Sequence, residues 1–262
     1  MFRRRAGFCV ALLLSLVLAC SRHPAPPPSS ASWPNEPAGL TVLCDWGFDQ
    51  APPTAGDVPI PRSPSWRVVY GLPAGPAQGW VQRISDPSAP FSPSNVYDFV
   101  YPQGMVEGSA PATVYYNLSA SEVYAGFWWK PSSPFDLGPN GNKIAFLFNG
   151  GGGAGGQQFL ILRPDGRLHV LPEYPGDYRW RTPNVHATVV TLGAWHRVEW
   201  YASKAGTLQW WLDGVLQGSY SDVRNSYKFD IFEFSPTWGG NVGARKHQTD
   251  HYWFDHVRLS AR

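Results

Sequence analysis

The chain has 262 residues, of which 43% are hydrophobic, 15% aromatic and 15% charged. That balance excludes a disordered chain, which is poor in rings and rich in charge. Lysine and arginine total 21 against 19 aspartates and glutamates, so net charge gives no general attraction to nucleic acid or acidic polymers. The length suits one large β domain of about 200–250 residues.

In chain order, Arg3, Arg4 and Arg5 precede an apolar run from Phe8 to Ala19 broken only by Ser15. Twelve residues rise about 18 Å as a helix, short of a hydrocarbon core of about 30 Å, so residues 1–19 read as a signal peptide. Without its three arginines the count becomes 18 basic against 19 acidic residues. The run ends Val17-Leu18-Ala19-Cys20, which resembles the bacterial lipobox. That resemblance implies lipid on Cys20 and a membrane anchor. Ser21 stands where an inner-membrane retention aspartate is absent, which implies an outer-membrane or surface location in a bacterial envelope. Residues 20–38 are rich in proline and serine and read as an extended tether that packs no core. With Cys9 in the leader and Cys20 lipidated, only Cys44 of the three cysteines is left, so no internal disulfide forms. Cys44 lies in an apolar run and reads as a buried, inert thiol.

From residue 39 to 262, short alternating runs recur between Gly, Pro, Asn and Asp clusters, and no segment repeats at helical spacing. Runs near 41, 67, 113, 123, 143, 158, 167, 187, 196, 207, 215, 229 and 251 predict about a dozen strands, which two packed antiparallel sheets accommodate. Along Val123–Trp129 alternation places Val123, Ala125, Phe127 and Trp129 on one face and Tyr124, Gly126 and Trp128 on the other. The same rule puts Ile144, Phe146 and Phe148 together. Asp165-Gly166 and Asp213-Gly214 each sit between β runs and predict hairpins. The apolar closing segment His251–Leu259 predicts a strand paired deep within a sheet.

Several segments together resemble the concanavalin A-like lectin and glucanase superfamily. They are Gly193-Ala194-Trp195-His196-Arg197-Val198-Glu199-Trp200, the hairpin Trp210-Trp211-Leu212-Asp213-Gly214, the turn Ser235-Pro236-Thr237-Trp238-Gly239-Gly240 and the closing Tyr252–Ser260. The resemblance implies an all-β, two-sheet jelly-roll sandwich over about residues 39–261. It does not choose an activity, because the superfamily holds lectins, glycosidases, polysaccharide lyases and modules without chemistry.

A retaining glycosidase needs two carboxyls about 5.5 Å apart. The best imitation, Asp230 and Glu233, has a spacing that sends the two to opposite faces of a regular strand. A lyase needs a group to neutralise the uronate and a base to remove the proton beside it. The histidine that the lyase resemblance would place in Lys143-Ile144-Ala145 is missing, which leaves Arg163, His169, Arg181 and His186 as catalytic candidates. Glycan binding needs exposed aromatic planes with polar neighbours, for which Trp128, Trp211, Tyr124, Gln209 and Trp238 are the candidates. The glycine-rich stretch from Gly150 lacks the ending of a phosphate loop. His247 and His251 do not space as metal ligands in a β context, and structural calcium, which the resemblance allows, has no supporting motif. The expectation is a lipid-anchored glycan-binding or surface-interaction module without a cofactor. A polysaccharide lyase or glycoside hydrolase and a structural envelope or adhesion domain are the alternatives.

Overall fold

The structure, a computed structural model, describes residues 33–53, 56–70, 80–91, 95–150, 155–240 and 242–262. The leader, Cys20 and residues 151–154 of the glycine-rich stretch lie outside the described residues. The strands are β1 (Thr41–Trp46), β2 (Val58–Ile60), β3 (Ser63–Tyr70), β4 (Val81–Ile84), β5 (Val96–Tyr101), β6 (Ala112–Ala120), β7 (Glu122–Pro131), β8 (Asn142–Asn149), β9 (Gly156–Leu162), β10 (Leu168–Glu173), β11 (His196–Ser203), β12 (Leu208–Leu212), β13 (Val215–Tyr220), β14 (Phe229–Phe234) and β15 (Asp250–Ala261). The described residues contain no helix.

The strands form two antiparallel sheets packed as a jelly-roll sandwich. Sheet 1 runs β13-β12-β11-β7-β15-β5-β4, with β1 also beside β15; sheet 2 runs β10-β9-β8-β14-β6-β3-β2. The closing strand β15 lies inside sheet 1, paired with β7 on one side and with β5 and β1 on the other. Both Asp-Gly turns are hairpins, joining β9 to β10 and β12 to β13. Asp213 and Gly214 both have positive φ, 52° and 82°, as a tight turn matched to strand twist requires.

Alternation on β7 gives the core. Val123, Ala125, Phe127 and Trp129 are fully buried and meet sheet 2 through contacts such as Phe127 edge-on to Phe234 at 5.0 Å. Behind β1, Cys44 Sγ accepts the Trp66 indole N–H at 3.0 Å, and burial pushes its thiol up to about 11. Such a thiol is unreactive at neutral pH.

Three local expectations need correction. The run near 187 forms no strand: Thr188 N–H donates to the Gln217 side-chain oxygen at 2.9 Å and Val190 N–H to the Gly166 carbonyl at 2.8 Å. The segment is therefore a strap, with Asn184, Val185 and His186 donating to the Gln217 carbonyl of β13 while Arg181 exchanges backbone bonds with Val170 of β10. It closes one side of the sandwich and covers an edge strand of each sheet. The second correction concerns β8, where a bulge between Lys143 and Ala145 shifts the register. Ile144, Ala145 and Leu147 join the core, whereas Phe146 belongs to a separate outer cluster with Phe148 packed against it. Third, the end of the proline-rich stretch does pack: Trp33 is 1% exposed.

His196 ties the loop before β11 to the β12–β13 turn. Its Nδ1 stands 2.7 Å from Asp213 Oδ2 and its Nε2 2.9 Å from the Thr191 carbonyl. Both partners are acceptors, so only the imidazolium satisfies both. Burial pushes His196 down, but the bonds to Asp213 and Thr191 outweigh it and the net shift is upward. A folded-state value above the unfolded one, about 6.5, means the stabilisation is complete below that pH and is lost as pH rises through the folded value. Histidine NMR titration should show His196 titrating above the ordinary range, and Asp213→Asn should lower it; a value at or below 6.5 in the native chain would refute the arrangement.

Candidate functional site

The ring set expected from alternation lies on the outer face of sheet 1, and most of that face is already occupied. Across β15, β7, β11 and β12 runs the row Arg258, Gly126, Glu199, Trp211. Gly126 leaves a gap in this row, and Trp33 fills it so closely that a Cβ there would overlap Trp33 Cε3. Phe91 lies 5.9 Å from both Trp33 and Trp128. Asn35 donates through its backbone N–H and its side chain to Glu199 at 3.0 and 2.9 Å, and Glu36 engages Arg258 and Ser260. Tyr124 is fully buried, its hydroxyl donating to Glu199 at 2.7 Å. Trp128 is half-buried beneath Phe91, and Trp211 is 8% exposed. Gln209 donates to Ser219 at 3.2 Å.

Trp238 is likewise not a free plane. It is 1% exposed and its indole donates to the Asp136 carbonyl at 2.6 Å. As ligand platforms Tyr124 and Trp238 are therefore corrected: each ring is sealed, one by the residue 33–36 segment and its buried carboxylate, the other by the loop it supports.

The catalytic candidates divide. Arg181 is 3% exposed and locked to Asp177 at 2.6 Å, and His186 sits on the strap against the Leu216 carbonyl at 3.0 Å. Neither faces the other two, and Arg181, sealed against Asp177, is corrected from catalytic candidate to structural ion pair. Arg163 and His169 do come together, at a corner of sheet 2's outer face. His169 Nε2 lies 3.1 Å from Asp165 Oδ2; burial lowers its pKa, only partly offset by Asp165. The Arg163 guanidinium lies 4.6 Å from the Trp180 ring centroid.

That outer face of sheet 2 carries the arrangement that the sequence did not reveal. Register sets one row as Leu171, Phe159, Phe146, Glu233, Tyr115 and Arg67 across six strands. A second row holds His169, Ile161 and Lys143. Phe146, Phe159 and Ile161 form an apolar cluster separate from the inter-sheet core, with Phe148 and Leu171 packed against it. Trp180 meets Phe159 edge-on at 6.3 Å and is 40% exposed. These rings make an apolar strip bordered by titratable groups.

Glu233 stands between Phe146 and Tyr115. Burial raises its carboxyl to about 7, against a smaller lowering by Ser235. Such a group holds or releases a proton near neutrality, as general acid–base work requires. Tyr115 donates to Asp57 at 2.7 Å, and Arg67 bonds the same carboxylate oxygen at 3.0 Å. Burial and the Asp57 carboxylate raise the phenol's pKa. Lys143 donates to the Gly239 carbonyl at 3.0 Å and lies 5.2 Å from the Phe159 ring centroid. Burial pushes Lys143 down, with Glu173 and Glu107 opposing. Among the described residues no group of three or more His, Cys, Asp or Glu side chains is placed to hold a metal.

No family model matches the chain, and no curated protein does. Solved structures share its architecture. The marine PL-14 alginate lyase from Aplysia kurodai aligns with a TM-score of 0.57 at 14% identity, covering 85% of this chain and 100% of that one. The cellulose induced protein Cip1 aligns at 0.51 and 17% identity over 70% of this chain and 85% of its own. A mutant of alginate lyase Aly36B, in complex with alginate tetrasaccharide, aligns at 0.50 and 14% identity over 71% and 84%. At these identities the likeness is one of fold, and the chain is an all-β, two-sheet sandwich of jelly-roll type.

Proposed function

We propose that the chain is a polysaccharide-binding module of the concanavalin A-like kind, and that the glycan lies along the outer face of sheet 2. The observation that carries this reading is the apolar strip of Phe146, Phe159 and Ile161, with Trp180 standing open beside it. Sugar C–H faces stack on such rings while neighbouring polar groups bond hydroxyls. Glu233, Tyr115 and Lys143 supply those groups. The fold shared with an alginate lyase seen holding a tetrasaccharide supports the reading. In this proposal residues 1–19 direct export and lipid on Cys20 holds the module at a bacterial envelope.

Affinity electrophoresis through gels containing soluble polysaccharides tests it. Trp180→Ala should weaken retardation by about tenfold, the loss of one stacked ring, with thermal unfolding unchanged. Equal retardation of variant and native chain would remove Trp180 from the surface.

A second reading, a polysaccharide lyase or hydrolase at the same face, is favoured by one observation: the Glu233 carboxyl at about 7 beside the Tyr115 phenol. Release of unsaturated or reducing ends from a polysaccharide panel, abolished by Glu233→Gln, would support it. Binding without product from any polymer would exclude it.

A further inference from the structure

The proposed surface holds two cations with no carboxylate partner, and this points to the charge of the ligand. Among the described residues, the half-buried Arg67, Lys130, Arg167, Arg197 and Arg258 each reach an aspartate or glutamate, whereas Lys204, on the turn after β11, stands apart from this surface. Lys143 and Arg163, also half-buried, are oriented differently. Each is held by a backbone carbonyl, Lys143 by Gly239 at 3.0 Å and Arg163 by Asn140 at 3.1 Å. A carbonyl fixes the direction of such a group without neutralising it. An ammonium has three donors and a guanidinium five, so donors stay open on both.

The two also share one place. Lys143 is opposite Ile161 on the neighbouring strand, and Arg163 follows two residues later at the end of β9. Lys143 lies over Phe159, Arg163 over Trp180, and those two rings meet edge-on at 6.3 Å. The cations thus stand at the two ends of one ring pair. His169, third in the row with Ile161 and Lys143, already has Asp165 as its partner. The acids that act on Lys143 do so from a distance and form no ion pair with it: Glu107 accepts the Gly243 N–H at 2.8 Å, and Glu173 accepts from Gln157.

We infer that this surface selects acidic polysaccharides, with Lys143 and Arg163 each receiving an anionic substituent, carboxylate or sulfate ester, of a chain lying on Phe159 and Trp180. The inference rests on the proposed glycan-binding reading and adds the ligand's charge to it. The attraction is local, because the chain as a whole is nearly balanced, with 21 basic against 19 acidic residues. Charge-assisted bonds of this kind are roughly twice as strong as neutral ones, and desolvated neighbours such as Phe159 strengthen them further.

Full-length protein is run in native gels containing a polyuronate, a sulfated galactan or a neutral β-glucan, at low and high salt. The expected result is retardation by one or both acidic polymers, falling as salt rises, with little retardation by the neutral glucan. The two acidic gels tell a carboxylate ligand from a sulfate ester. Lys143→Gln and Arg163→Gln should each weaken acidic retardation by about tenfold, Lys143→Arg should retain most of it, and unfolding temperatures report that the variants are folded. Salt-insensitive retardation by the neutral glucan, unaffected by either glutamine substitution, overturns the acidic selection while keeping the glycan surface. Retardation by no polymer overturns both.

Discussion

Replacing Lys246 by methionine should lower the stability of the sandwich by about 3–5 kcal/mol, the usual consequence of stripping one member from a buried ion pair. The Lys246 side chain is wholly buried, and its ammonium lies 2.7 Å from Asp250 Oδ2, itself 1% exposed. It also donates to the Asp136 carbonyl at 2.8 Å. Phe135, Trp238 and Tyr101 surround it, with ring centroids 4.5, 5.1 and 5.2 Å away, a box that favours a cation. Burial pushes the lysine down and Asp250 opposes that shift. Methionine fills the volume but leaves the Asp250 carboxylate with only the Asp136 N–H and the Gln248 amide. Urea unfolding should show a lower midpoint with an unchanged slope, and Lys246→Met with Asp250→Asn should recover part of the loss. A midpoint close to the native one for the single variant would show that the pair contributes no stability. The effect reaches the proposed glycan surface as well, because Trp238 adjoins Gly239, whose carbonyl orients Lys143.

Gly126→Ala should displace the segment around Trp33 while leaving the inter-sheet core intact. The new methyl would overlap Trp33 Cε3 and crowd the Tyr124 hydroxyl at 2.9 Å, and the strand that carries Gly126 is fixed on both sides by β11 and β15. The indole is the part that can leave. Trp33→Ala removes the same contact from the other side and should cost about 3 kcal/mol, the lower range for a buried indole. Because both substitutions break one interaction, the double variant should be no less stable than the worse single. Red-shifted tryptophan emission and new proteolytic cleavage near residue 37 should accompany Gly126→Ala. Additive losses, or emission unchanged from native, would show that Trp33 and Gly126 do not depend on one another.

Much of the architecture is legible in the residues. Asp-Gly turns fixed two hairpins, and alternation along Val123–Trp129 named the buried face correctly because β7 pairs without interruption with β11. The strands that surround the candidate surface obey a different rule. A bulge at Lys143/Ala145 and another at Phe229/Ile231 each insert a residue, and strict period-two counting then assigns the following side chains to the wrong side. Phe146 and Phe148 were for that reason grouped with Ile144. β2, β4 and β5 lie outside the counted runs, although Val96-Tyr97-Asp98-Phe99 is an apolar stretch; Asp98 breaks its pattern and is buried against His251 at 2.8 Å. Trp33 was hidden by composition, since proline and serine around it signal an extended tether. A solitary tryptophan in such a stretch, together with a strand glycine flanked by aromatics, is the signal that could have exposed the pairing.

The seat of Trp33 also fixes an orientation. The chain enters the domain across the outer side of sheet 1, held there by Glu199, Arg258 and the gap at Gly126. Whatever lies upstream therefore joins the domain on that side, and Trp180 and Glu233 lie on the opposite side, the outer face of sheet 2. Under the proposed lipid anchor on Cys20, the attachment and the proposed glycan face therefore lie on opposite sides of the sandwich, so that a tether leaving from one does not cover the other.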